Sequence, residues 1–170
     1  VAFPRGTERA SCYSAENHRI WNGMKRVGMK RIQLTEEDAR EILSTGKIPD
    51  RIVNSAPFVA VVLTQGWCPQ WKAMNAYLDQ WCQEETRTNG ENASSAKPAV
   101  FVYHLVYDTL PFFNRFLVWK ENTFKNYDIP YVRYYQEGKF VGESNFVDFQ
   151  GFKSLLMRKR EKDETNSRSA

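Results

Sequence analysis

The sequence predicts an α/β fold, a central mixed β-sheet flanked by helices, with an N-terminal helical extension. Three observations carry that expectation. Two continuous apolar runs, Phe58 to Leu63 and Ala99 to Tyr107, have the β-branched character of buried strands, each is followed by a helix-period stretch, and a hairpin pattern with a final helix begins at Tyr131. In order the elements read β-α-β-α-β-β-α, a pattern that calls for helices against the faces of a sheet. A chain of 170 residues fits one domain that buries its own core without disulfide staples.

Residues 1–33 are polar, basic and without period, and read as a basic arm or extension to which no function is assigned; Met24 and Met29 are both candidate native starts. Thr35 caps a short helix whose first turn, Glu36, Glu37 and Asp38, sets acids at the positive helix end. Ile42 and Leu43 face inward, and Gly46 closes it. After the Phe58 strand, Pro69 to about Glu85 spaces Met74, Tyr77, Leu78 and Trp81 three or four apart, one apolar face toward a sheet. Residues 88–98 are small, polar and unpatterned, a loop whose Asn92-Ala93-Ser94 sequon is discounted as a chance triplet. Leu110 to about Tyr127 reads as an aromatic-rich helix. Tyr131 to Tyr135 and Phe140 to Ser144 form a hairpin across Gln136-Glu137-Gly138-Lys139, and Phe149 to about Lys159 is the closing helix, with Phe152, Leu155 and Leu156 inward. The folded domain is thus set at 34–157, followed by a charged C-terminal tail, 158–170.

The net charge of +4 belongs to the ends. Residues 1–33 hold seven Lys/Arg against two acids and 157–170 hold five against three, so the middle is left with 12 basic and 15 acidic residues. No nucleic-acid-binding face is therefore expected on the domain. No apolar run approaches the roughly 18 residues of a membrane span, so no membrane partner is expected. With three scattered cysteines, two histidines and no Cys-x-x-Cys pair, neither a disulfide framework nor a metal site is expected. The compartment stays open: cytoplasmic is favoured, secretory or periplasmic if a signal segment was removed.

The stretch that carries chemistry is Gly66-Trp67-Cys68-Pro69-Gln70-Trp71, directly after the Phe58 strand. It sets one cysteine where a strand hands over to a helix. Farther on, Tyr127-Asp128-Ile129-Pro130-Tyr131 leads into the hairpin. Trp67-Cys68 after an apolar strand, with Ile129-Pro130 before a hairpin that turns at Gly138-Lys139, resembles the thioredoxin superfamily over roughly residues 55–157. The resemblance implies a thioredoxin-like fold in which Pro130 is cis and lies beside Cys68, and in which the backbone at Ile129 pairs with a bound polypeptide. It also marks two departures. The second active-site cysteine is replaced by Trp71, and the buried acid of the preceding strand, six residues before the first cysteine, is replaced by Val62. A two-thiol cycle is therefore absent.

Cys68 alone, at a helix N-terminus opened by Pro69, faces unpaired N–H groups and the positive helix end, an environment suited to an anionic nucleophile. It is the candidate catalytic residue. Such a thiol can attack a disulfide if an outside thiol, glutathione or another, releases the product, so no bound cofactor is required and the partners are protein thiols or disulfides. Trp67 and Trp71 flank the sulfur as a candidate substrate platform or shield, with Ile129 and Pro130 completing the substrate site. Three readings stay open: a monothiol thiol-disulfide oxidoreductase, a redox-inactive thioredoxin-like module that holds a client polypeptide near Pro130, and, third, a thiolate oxidised by peroxide. His104, a lone histidine in an apolar strand, reads as a core residue. Cys82, fourteen residues along the same helix and so about 21 Å away, is beyond disulfide reach, and Cys12 in the arm is not positioned by anything in the sequence. Aromatic excess on the Leu110 helix leaves a homo-oligomer or protein partner as an expectation, with Trp119 its anchor.

Overall fold

Sheet and helices follow from which residues need both faces buried and which need one. A computed structural model describes residues 28–88 and 98–158, with the backbone alone for 85–88. In it, β1 (Met29–Gln33), α1 (Glu36–Thr45), α2 (Asp50–Val53), β2 (Phe58–Thr64), α3 (Pro69–Thr88), β3 (Val100–Val106), a 3-10 turn (Tyr107–Thr109), α4 (Phe113–Phe124), β4 (Tyr131–Gln136), β5 (Lys139–Ser144) and α5 (Phe149–Leu156) succeed one another. Five strands form one mixed sheet in the order β1-β3-β2-β4-β5. β1 and β2 run parallel to β3, β4 runs antiparallel to β2, and β5 closes the far edge antiparallel to β4.

β2 sits at the centre, and Val59 to Leu63 are all fully buried. Alternate residues serve opposite layers: Val59, Val61 and Leu63 pack with α1, α2 and α4, while Ala60 and Val62 pack with α3 and α5. A strand covered on both sides reads as a continuous apolar run, which is why β2 and β3 are conspicuous in the sequence. α1 matches its expected span. Thr35 and Asp38 form a reciprocal capping box, Gly46 ends the helix at φ 73°, and Ile42 is buried with Leu43 packed against the same cluster.

Several expectations are corrected. Met29–Gln33, assigned above to the arm, is the edge strand β1, paired residue for residue with Val100 to His104. Its inward position Arg31 disguised the alternation: Arg31 lays its side chain along the α3 face, 11% exposed, and pairs with Asp79 and Asn75 of α3, while Met29 is buried on the same face. α2 has a single turn, too short for a helical period to register, yet it buries Ile52 and Val53. The aromatic helix starts at Phe113, because Leu110 precedes Pro111 and is held extended (ψ 140°). It ends at Phe124, where Lys125 turns left-handed (φ 52°), so residues 126–130 are loop. The hairpin turn is the two residues Glu137 and Gly138, both at positive φ, between the paired Gln136 and Lys139. α5 stops at Leu156, and Asp148 caps it by accepting from the Gly151 N–H at 2.8 Å. Trp119 is no exposed anchor: it packs between Phe116 and Phe124, ring centroids 5.1 and 5.2 Å away, and the exposed residue beside it is Val118. The rest of the arm, with Cys12 and any helical extension within residues 1–27, the sequon loop 89–97 and the tail 159–170 lie outside the described residues.

Candidate functional site

Where β2 ends, the chain turns through Gln65, Gly66 and Trp67 before α3 starts at Pro69. The turn is held from the neighbouring strand end: Gly66 N–H donates to Asp108 Oδ1 at 2.9 Å and Gln65 Nε2 donates to the Tyr107 hydroxyl at 3.1 Å. Burial is the main influence on the Tyr107 phenol, keeping its pKa above the usual value. Cys68 then occupies the capping position. Its N–H donates to Gln65 O at 3.3 Å, and its carbonyl accepts the first helical bond, from Lys72 N–H at 3.1 Å. Proline at the first helical position fits, since the donor it lacks has no helical partner there.

Against the sulfur lies the loop between α4 and β4. Its Ile129–Pro130 peptide is cis, and Cys68 Sγ is 3.7 Å from the Ile129 carbonyl oxygen. Pro130 is buried and Ile129 half-buried. The structure therefore brings Cys68, Ile129 and Pro130 together from two separate stretches of chain. Trp67 stands next to them, 63% exposed, its indole N–H donating to Gln65 Oε1 at 2.7 Å.

Trp71 does not join them at the surface. It is 6% exposed, and its ring centroid lies 5.6 Å from that of His104 on β3. As a wall for a bound chain it is corrected to a core residue, because one turn into α3 its side chain faces the sheet. Val62 is fully buried and paired with His104 on one side and Val132 on the other, so the position under the helix start is apolar. His104 is held neutral. Burial is the first cause, the Arg31 guanidinium the second; Asp79 and a hydrogen bond with the Ile32 backbone oppose them, and the pKa falls from 6.5 to about 4.

Three residues that sequence reasoning missed hold the Ile129–Pro130 loop. Lys120 of α4, fully buried, donates from Nζ to the Asp128 carbonyl at 2.6 Å. Asn126 Oδ1 accepts from Asp128 N–H at 3.1 Å, and Asn145, just after β5, donates from Nδ2 to the Pro130 carbonyl at 3.1 Å and is paired with the Asn126 amide at 3.0 Å. A lysine reads by default as a solvated residue. The signal that could have found it is spacing: Lys120 falls four residues after Phe116 and four before Phe124, on the inward stripe of α4.

Sheet order β1-β3-β2-β4-β5 with helices on both faces, and a strand-to-helix turn that sets the cysteine against the loop before β4, give the chain a thioredoxin-like fold. The solved structures to which it is similar include a mutant thioredoxin from Halobacterium salinarum NRC-1, at 11% identity and TM-score 0.46, over 77% of this chain and 89% of that one. Others are thioredoxin O2 from Arabidopsis thaliana in the oxidized state, at 14% identity and TM-score 0.47 over 77% and 93%, and a Plasmodium falciparum thioredoxin, at 15% and 0.42 over 63% and 86%. At TM-scores below 0.5, no activity or residue role follows from them. No protein-family model matches the sequence, and no curated protein matches it.

Proposed function

We propose that this thioredoxin-like protein is a monothiol thiol-disulfide oxidoreductase, in which Cys68 attacks the disulfide of a client chain lying across the Ile129–Pro130 backbone. The observation that carries the reading is the contact between Cys68 Sγ and the Ile129 carbonyl, 3.7 Å apart, at the N-terminal end of α3 beside an exposed tryptophan. Helix N-termini suit an attacking sulfur anion, and the adjoining backbone supplies the groups that align an extended chain.

The Cys68 thiolate forms a bond to one client sulfur while the client S–S bond breaks and the second client sulfur leaves as thiolate. Trp71 occupies the position from which a resolving thiol would act, so an external thiol such as glutathione attacks the Cys68 sulfur of the mixed disulfide. That step releases the first client sulfur as thiolate and leaves Cys68 joined to the external thiol. A second external thiol frees Cys68 as the external disulfide forms. In sum one client disulfide is reduced and two external thiols are oxidised.

Purified chain, given glutathione and a glutathionylated peptide, is expected to release the free peptide at a rate that Cys68→Ser lowers to background and Cys82→Ser leaves unchanged. Equal rates for Cys68→Ser and the parent chain sink the proposal. A second reading, a client-holding module without chemistry, is favoured by the 4% exposure of Cys68 together with the apolar Val62 beneath it. Under it, Cys68→Ser binds a client peptide as tightly as the parent does and neither chain turns the peptide over.

A further inference from the structure

We propose that Lys120, acting from the buried side of α4, is a positioning residue for the site, and that with Asn145 it fixes the Asp128–Pro130 backbone so that the Ile129 carbonyl stays against the Cys68 sulfur. As an assignment of purpose this rests on the reading that Cys68 and that backbone work together. The geometry is independent of which chemistry they serve.

A fully buried ammonium is costly, since it gives up hydration that protein groups replace only in part. Lys120 Nζ makes a 2.6 Å bond to the Asp128 carbonyl and lies 5.5 Å from the Tyr131 ring centroid. Both partners bracket the same segment: Asp128 immediately precedes Ile129–Pro130, and Tyr131 immediately follows. From the opposite side Asn145 holds the Pro130 carbonyl, and Asn126 ties the Asp128 N–H to the Asn145 amide. Asp128, Pro130 and Tyr131, the residues on either side of Ile129, are thereby held from α4 and from the end of β5. Burial also lowers the Lys120 pKa from its ordinary value, as expected where the charged form is retained only through such local partners.

Helix packing alone does not account for the side chain. Lys120 lies between Phe116 and Phe124 on the inward stripe of α4, where an aliphatic residue would pack without any desolvation cost. Lys120→Met removes the desolvation cost of the ammonium but leaves the Asp128 carbonyl without its donor, so the two effects oppose each other in the global melting temperature while the loop is freed. Uncovering Sγ raises the alkylation rate of Cys68. Cys82, farther along α3, is the internal control.

The full chain is treated with iodoacetamide, and peptide mass spectrometry follows Cys68 and Cys82 separately in the parent, Lys120→Met and Asn145→Ala. The Cys68-to-Cys82 rate ratio is expected to rise about tenfold in Lys120→Met, the scale of losing one charge-assisted hydrogen bond, and severalfold in Asn145→Ala. A ratio that stays at the parent value, or both cysteines speeding up together, overturns the assignment, because general loosening would expose them alike. Should Lys120→Met fail to fold, Asn145→Ala decides by the same ratio. If the parent reduces no disulfide, the oxidoreductase reading fails while the ratio still tests the loop.

Discussion

His104 shows what one half-buried polar side chain does to the molecule's response to acid. Its Nδ1 is buried and finds no hydrogen-bond partner among the described residues, and burial, reinforced by Arg31, holds the ring neutral to about pH 4. In the unfolded chain the same group takes up a proton near 6.5. Stability is therefore unaffected by this residue above pH 6.5. It falls as pH drops from about 6.5 to about 4, the window in which the unfolded state binds the proton and the folded state does not, and this loss saturates below. Arg31 and Asp79 are the charged groups facing the ring, of opposite effect, so removing the imidazole isolates its own share. In urea titrations at pH 7 and pH 4.5, His104→Gln is expected to lose less stability between the two than the parent does. Parallel losses would mean that His104 is not held neutral. The same position closes off a proton-relay role for the ring at neutral pH, since a site that protonates only near pH 4 neither donates nor shuttles there.

At the scale of elements, two glycines with nearly equal φ carry different loads. Gly46 (φ 73°) ends α1 with open space around the missing Cβ, whereas Gly138 (φ 72°) turns the β4–β5 hairpin with a Cβ position only 1.9 Å from Asn54 Oδ1. Asn54 has little room to yield, because its Nδ2 is bound to the Asp50 carbonyl at 2.8 Å. Gly46→Ala is expected to cost about 1 kcal/mol, the left-handed penalty alone, and Gly138→Ala distinctly more, since the hairpin must also part from the end of α2. Urea midpoints for the two variants check the order, and equal values would show that Asn54 gives way freely. Which elements were legible follows from similar local detail. β2 and β3 announce themselves because both faces are apolar, and the cap at Thr35 and turn at Gly138 because only a few residue types serve there. Cys68, Ile129 and Pro130 were legible as two short motifs, each tied to the end of a strand or helix. α2 was not, being one turn long, and neither was the grip of Lys120, Asn126 and Asn145, which depends on polar side chains meeting across α4, the loop and β5.

For the molecule as a whole, the sheet's β1 edge decides where the domain begins. A reading by polarity draws the boundary at residue 34, because Lys30 and Arg31 make Met29–Gln33 look like arm. Packing draws it at or before Met29. Met29 is buried among Val100, Trp81 and their neighbours, Ile32 packs on the opposite layer, and Arg31 ties the strand to Asp79 and Asn75 of α3. Without β1, the parallel partner β3 would become an edge, opening the ladder from Val100 to His104 along its length. It would also uncover the α3 side of His104, whose neutral state depends on that cover. Ladder bonds at about 1 kcal/mol each and one buried methionine at about 2 kcal/mol put the loss at several kcal/mol, a large part of a domain's total stability. A chain beginning at Leu34 is therefore expected to melt at least about 10 °C below one beginning at Gly28, or to aggregate through the opened edge. Calorimetry on the two truncations, read beside the Cys68 alkylation rate, separates the consequences. The loop that covers the Cys68 sulfur precedes β4, on the side of β2 away from β1, so a chain that begins at Leu34 and still folds is expected to keep the Cys68 rate of the longer chain. Equal melting temperatures would return the boundary to residue 34 and reduce β1 to an ornament of the sheet.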